Sequence, residues 1–150
     1  MKIPLAVSQI GRITTVISIQ APRCFGFVSF VIDTGSPYTF LSERDAEKLK
    51  IPLKELETDK KLIGLGGKPF ELLFFRHGKF NFRTEEGTIH SICWSIRLRN
   101  YAEQQKYREE LPSILGTDFI KDNKFVLYYN PSRSIAYFER EENKSFDNNL

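Results

Sequence analysis

The stretch Phe30-Val31-Ile32-Asp33-Thr34-Gly35-Ser36 puts an acid at the end of an apolar run, followed by a hydroxyl residue and a residue without Cβ. A carboxylate leaving an apolar strand is partly desolvated, and a second one close to it could not ionise independently, so such a pair shares one proton. One member then acts as base and the other as acid on a water held between them. Gly35 lets the backbone turn sharply near the acid, and its amide is placed to donate to the carboxylate. The hydroxyls of Thr34 and Ser36 can lock the loop. Read alone, Asp-Thr-Gly is equally an ordinary turn after a strand, because Asp and Gly are favoured turn residues.

Upstream, Ile13, Thr15, Ile17 and Ile19 alternate, and Phe25 to Ile32 is almost continuously apolar. The pattern predicts a hairpin turning at Ala21-Pro22-Arg23 and leading into a buried strand. Ser42-Glu43-Arg44-Asp45 reads as a capping box opening a helix to about Lys50, stopped before Pro52. Leu62 to Phe75 is apolar on both sides of Gly64-Leu65-Gly66-Gly67, which predicts two strands joined by a glycine-rich bend. Further strands are expected over Lys79 to Phe82 and Thr88 to Leu98, turning at Glu85-Glu86-Gly87. Asn100 to Leu111 reads as a surface helix or a long ordered loop. Ser113 to Gly116 is a brief apolar run, Thr117 to Asn123 one or two helical turns, and Phe125 to Phe138 a hairpin turning at Asn130-Pro131-Ser132. No internal repeat is visible. The count of short strands with one or two short helices implies a mostly β, barrel-like domain over 1–138, with 139–150 as a frayed tail.

Bulk properties bound the function. The chain has 150 residues, 41% of them hydrophobic and 13% aromatic, enough for one domain with a proper core. With 22 basic and 19 acidic residues interspersed, the formal charge of +3 marks no footprint for nucleic acid or anionic lipid. Met1 to Arg12, broken by Pro4, does not read as a secretory signal. No stretch approaches the roughly 18 apolar residues of a membrane-spanning helix. Cys24 and Cys93 stand outside any CxxC pattern, so neither a disulfide framework nor a zinc site is suggested and a reduced, cytoplasmic location is expected. His77 and His90 lack ligand spacing, Cys93-Trp94 reads as core, and Lys60-Lys61 with Arg97 and Arg99 read as solvated faces. No metal or cofactor is expected.

Taken in order, Ile32-Asp33-Thr34-Gly35, then Leu62-Ile63-Gly64-Leu65-Gly66-Gly67, then Ile114-Leu115-Gly116-Thr117-Asp118-Phe119 resemble the retropepsin family of aspartic proteases. That pattern is an apolar run into Asp-Thr/Ser-Gly, a glycine-rich flap, and apolar-apolar-Gly opening a short helix, here spread over Ile13 to Phe138. The resemblance implies a closed acid-protease barrel, homodimeric, and an aspartic endopeptidase acting on a peptide or protein substrate. It implies a catalytic loop of Asp33, Thr34 and Gly35, with Thr34 bracing the facing loop. Ser36 and the flap residues Ile63, Gly64, Leu65, Gly66 and Gly67 would contact substrate. Gly116 would let the backbone pass close behind the catalytic loop.

The chain departs from bilobed relatives in holding a single Asp-Thr/Ser-Gly; Asp118, after Gly116-Thr117, has the wrong order. The second acid must then come from a symmetry mate. Two other readings are open: a catalytically silent retropepsin-like module for dimerisation or peptide binding, and a small β-barrel binder of apolar ligands.

Overall fold

Alternation builds the first long hairpin. In β2 (Ile13–Ala21), Ile13, Thr15, Ile17 and Ile19 are buried while Val16 and Gln20 face outward, the period-2 pattern of a strand with one face on a core. β3 (Cys24–Ile32) returns antiparallel with Ala21 opposite Cys24, leaving Pro22-Arg23 as the two-residue turn, with Arg23 in the left-handed region at φ 66°. The strand is less buried than its apolar run suggests. Val28, Phe30 and Ile32 point inward, but Phe25 and Phe27 are about 60% exposed, stacked edge to face on the outer surface. Apolar composition near the hairpin tip therefore does not mean burial on both faces.

The computed structural model describes residues 1–52, 56–63, 67, 69–101 and 111–140. An N-terminal strand, β1 (Lys2–Val7), escaped the sequence reading because Pro4 interrupts its pattern. Proline lacks a donor and is tolerated where no ladder bond needs one. After β3, Ser42 caps α1 (Glu43–Lys48), its hydroxyl accepting from the Asp45 amide at 3.2 Å, as the capping box predicts. β4 (Glu57–Ile63) pairs with β5 (Pro69–Arg83), and β5 with β6 (Ile89–Tyr101). The two strands expected within 69–82 are one, bent by a register shift between Phe75 and Gly78. β6 continues through Asn100 and Tyr101, where a helix or loop was expected; 102–110 lie outside the described residues. β7 (Ser113–Leu115) runs parallel to β3, and α2 (Thr117–Asp122) follows at once. β8 (Val126–Asn130) and β9 (Ile135–Glu139) form the last hairpin around a 3-10 turn at Pro131–Arg133. β9 pairs with β1 up to Lys2 opposite Glu139, and the Arg140 amide donates to Met1 O at 3.1 Å.

The domain is mostly β with two short helices, as expected, but among the described residues its strands do not close into a barrel. The gap is spanned by two residues. Phe40 exchanges backbone hydrogen bonds with Ile114 of β7 at 2.9 Å, and Leu41 bonds Arg97 and Arg99 of β6 at 2.8 and 2.9 Å. A pair of bridging residues satisfies the edges locally without a full strand.

Inside, Phe119 meets the rings of Phe80, Phe82, Trp94 and Phe125 at centroid distances of 4.9 to 6.0 Å, which anchors α2. Cys93, expected in the core, is exposed, while its neighbour Trp94 is half-buried. Arg99, expected in solvent, is buried with its guanidinium 4.7 Å from the Phe40 ring centre. No described helix is long and apolar enough to cross a membrane.

Candidate functional site

Strand β3 delivers Asp33 to the surface at the point where β7 ends beside it. The Asp33 amide donates to Leu115 O at 3.1 Å, one step beyond the parallel Ile32–Leu115 pair. The chain then turns. Ser36 N donates to Asp33 O at 3.1 Å, and Gly35 N donates to the Asp33 carboxylate at 2.8 Å. A Cβ on Gly35 would lie 3.1 Å from that carboxylate oxygen, so the residue type lets the amide reach the acid. Asp33, Thr34 and Gly35 are all exposed in the single chain. Among the described residues no cation pairs with Asp33.

The loop that follows is pinned from behind. Ser36 closes on itself, its hydroxyl donating to Tyr38 O at 2.8 Å. Its carbonyl accepts from Thr117 N at 2.9 Å and from the Thr117 hydroxyl at 3.3 Å. Thr39 is buried at the centre of this arrangement. Its hydroxyl accepts from Gly116 N at 2.8 Å and donates to the Asp118 carboxylate at 2.8 Å. Asp118 also accepts from the amides of Thr39 and Phe119 and pairs with Arg97 at 3.5 Å. Gly116 has its expected close approach, since a Cβ there would meet Tyr38 O at 2.5 Å and Ser36 O at 2.7 Å.

Sequence reasoning set Asp118 aside because its order was wrong for a second acid, and it missed Thr39 and Arg97. The available signal was position: an acid in the first turn of a helix favours exposed amides. Nothing local to Thr39 announces its role, because its partners lie 77 and 79 residues away.

Of the flap residues, Gly64, Leu65 and Gly66 lie outside the described residues. Ile63 ends β4 with its side chain 75% exposed, and Gly67 sits at φ +75° in open space. Among the described residues no cluster of three or more His, Cys, Asp or Glu could hold a metal ion. His90 is half-buried, and burial together with the charge of Arg140 lowers its pKa below the usual imidazole value.

The sequence profile described as "Aspartyl protease" matches residues 27–119, from within β3 to the first turn of α2 and so across both halves of the pinned loop. No curated protein matches the chain. Among solved structures, a retropepsin-like aspartic protease from Rickettsia conorii superposes with a TM-score of 0.56 at 14% identity, over 92% of this chain and 89% of that one. The protease of EIAV, complexed with an inhibitor, superposes with a TM-score of 0.50 at 18% identity, over 75% of this chain and 88% of that one. At such identities the likeness is one of fold.

Proposed function

Because the chain belongs to the aspartyl protease family, we propose that it is an endopeptidase whose catalytic pair consists of Asp33 from two copies of the chain. The observation that carries the reading is the exposed Asp33 carboxylate, oriented by the Gly35 amide at the end of a strand with one buried face and carried on a loop locked from behind. A single Asp-Thr-Gly per chain requires a second copy to complete the pair.

In the dimer the two carboxylates share one proton. The ionised member takes a proton from a water that attacks the peptide carbonyl carbon. The protonated member gives its proton to the carbonyl oxygen, producing a neutral diol. The member that took the water's proton then gives it to the departing nitrogen, while the other, now ionised, takes a proton from a diol hydroxyl. The C–N bond breaks, acid and amine leave, and the pair again holds one proton. No covalent enzyme intermediate forms. Thr34 braces the facing loop, and the bend from Ile63 to Gly67, with Ser36 beside the acid, contacts the substrate.

Incubation with quenched-fluorescent peptides from about pH 3 to 7 tests this, with activity expected on the acidic side where one acid is protonated. Asp33→Asn should lower the rate by at least about 100-fold, the contribution of one general acid or base. Equal cleavage by the variant refutes the assignment. Sedimentation at several concentrations should show a dimer. A dimer that binds peptides without cutting any would instead be the silent module.

A further inference from the structure

The peptide unit between Leu115 and Gly116 carries two hydrogen bonds that bear on where Asp33 sits. Its carbonyl accepts from the Asp33 amide at 3.1 Å, and its N–H donates to the Thr39 hydroxyl at 2.8 Å. A peptide unit is planar and stiff, so a tilt at one end is passed to the other. The Thr39 hydroxyl has one proton, which goes to the Asp118 carboxylate at 2.8 Å, an acceptor that cannot donate while it is ionised. The lone pairs of the hydroxyl are thereby left for Gly116. The Asp33 amide is tied in this way to the charge of Asp118.

Arg97 holds that charge. The side chains of Asp118 and Arg97 are 17% and 22% exposed, so the pair at 3.5 Å is largely out of water. A carboxylate enclosed to that degree is costly unless hydrogen bonds and a cation compensate it. Arg97 is itself fixed twice. Its carbonyl accepts from the Leu41 amide at 2.8 Å, which sets the residue beside the chain that leaves the Asp33 loop. Its guanidinium lies 5.9 Å from the ring centre of Phe74, its partner in the β5–β6 ladder. A planar, delocalised cation can face a ring and pair with a carboxylate at once, which an ammonium does less well.

We infer that Arg97 is a positioning residue for the Asp33 carboxylate, acting through Asp118, Thr39 and the Leu115–Gly116 peptide unit. It works from behind the loop and not on the substrate. Its effect on rate rests on the peptidase reading, but the geometry it governs, the 2.8 Å bond from Gly35 N to the Asp33 carboxylate, can be read without turnover. Without the guanidinium, Asp118 keeps its charge and loses its cation. The carboxylate then turns towards water, its bond with Thr39 weakens, and the peptide unit that receives the Asp33 amide tilts.

The first readout is the NMR resonance of the Gly35 amide proton, which follows its hydrogen bond to Asp33. In Arg97→Gln it should move upfield, and further than the amides of the β8–β9 hairpin do. In the double variant Arg97→Gln, Asp118→Asn it should return towards the parent position, because the enclosed charge is gone and the Asn oxygen still accepts from Thr39. The second readout is rate. Arg97→Gln should lower kcat by about 10- to 100-fold, as a displacement of order 1 Å does, with KM changed by less than about twofold. The double variant should recover most of that loss, and Arg97→Lys, which keeps the charge, should lose less than Arg97→Gln. Urea unfolding checks that each variant is folded under the assay conditions. Should Arg97→Gln not fold, Phe74→Leu removes the ring and keeps the ion pair, and should move both readouts in the same direction by less.

A Gly35 resonance that shifts in Arg97→Gln and is restored by the second substitution supports the positioning role even if no peptide is ever cut, in which case the peptidase reading alone falls. An unmoved Gly35 resonance with kcat within about twofold of the parent, whatever the change in stability, overturns the role of Arg97 while leaving the peptidase standing. So does a loss that the double variant only deepens.

Discussion

Replacing Gly116 by Ala gives the sharpest check on how the Asp33 loop is held. The added Cβ would lie 2.5 Å from Tyr38 O and 2.6 Å from Tyr38 C, whereas ordinary contact begins near 3.4 Å, so relief needs a shift of about 0.9 Å (3.4 − 2.5). The opposing atoms are backbone, so no rotamer change can provide it. A shift of that size takes the 2.8 Å bond from Gly116 N to the Thr39 hydroxyl and the 2.9 Å bond from Thr117 N to Ser36 O beyond hydrogen-bonding distance. Losing two such bonds costs about 1–3 kcal/mol, and overpacking without movement costs about the same. We therefore expect a loss of about 1–3 kcal/mol. That is a fall in Tm of roughly 2–12 °C for a domain of this size. The assay is urea unfolding followed by circular dichroism at one fixed protein concentration, so that any association between chains contributes equally to parent and variant. Peptidase activity should fall further than stability does, because the shift passes directly into the loop that aims Asp33. A change below about 0.5 kcal/mol, within the range of an unremarkable surface substitution, would show that the loop is not clamped as described.

Three further outcomes are expected. Thr39→Val keeps the shape but removes the hydroxyl shared by Gly116 and Asp118, and should lower unfolding free energy by about 2–3 kcal/mol, read by urea titration. Exposed Cys93 should react with a thiol-specific disulfide reagent at pH 8 well before half-buried Cys24. Desolvation raises the Cys24 pKa, opposed in part by a backbone hydrogen bond involving Ala21, so the comparison is read by mass spectrometry of partly labelled protein. His90 has a folded-state pKa below its unfolded value, so the folded protein takes up its proton less readily. Its contribution is complete above about pH 6.5 and is lost as pH falls through the folded value. His90→Leu should accordingly flatten the decline in stability between about pH 7 and 5, which denaturation midpoints across that range would reveal.

The elements that could be read from the chain are those whose signal is local. β-branched alternation marked β2, and Ser42 with Asp45 marked the start of α1. Pro22-Arg23 marked the first hairpin turn, and the order of Asp-Thr-Gly, the glycine-rich bend and Leu115-Gly116 marked the family. Where local and long-range demands diverge, the reading failed in a consistent direction. Pro4 hid a strand that only its neighbours β2 and β9 make worthwhile. Arg99 looked solvated because nothing nearby in sequence reveals the Phe40 ring it covers. Phe25, Phe27 and Cys93 looked buried because composition cannot distinguish a face turned to the core from one turned outward.

By itself, then, the order of residues determined the class of fold and the turn that carries Asp33 out of β3, since both depend on periodicities and turn chemistry that span a few residues. Only the folded chain decided how that acid is held. The contacts among Ser36, Thr39, Gly116 and Asp118 join segments nearly eighty residues apart. Loop closure over such separations is favourable only when a whole core forms together, so no short window of sequence carries it.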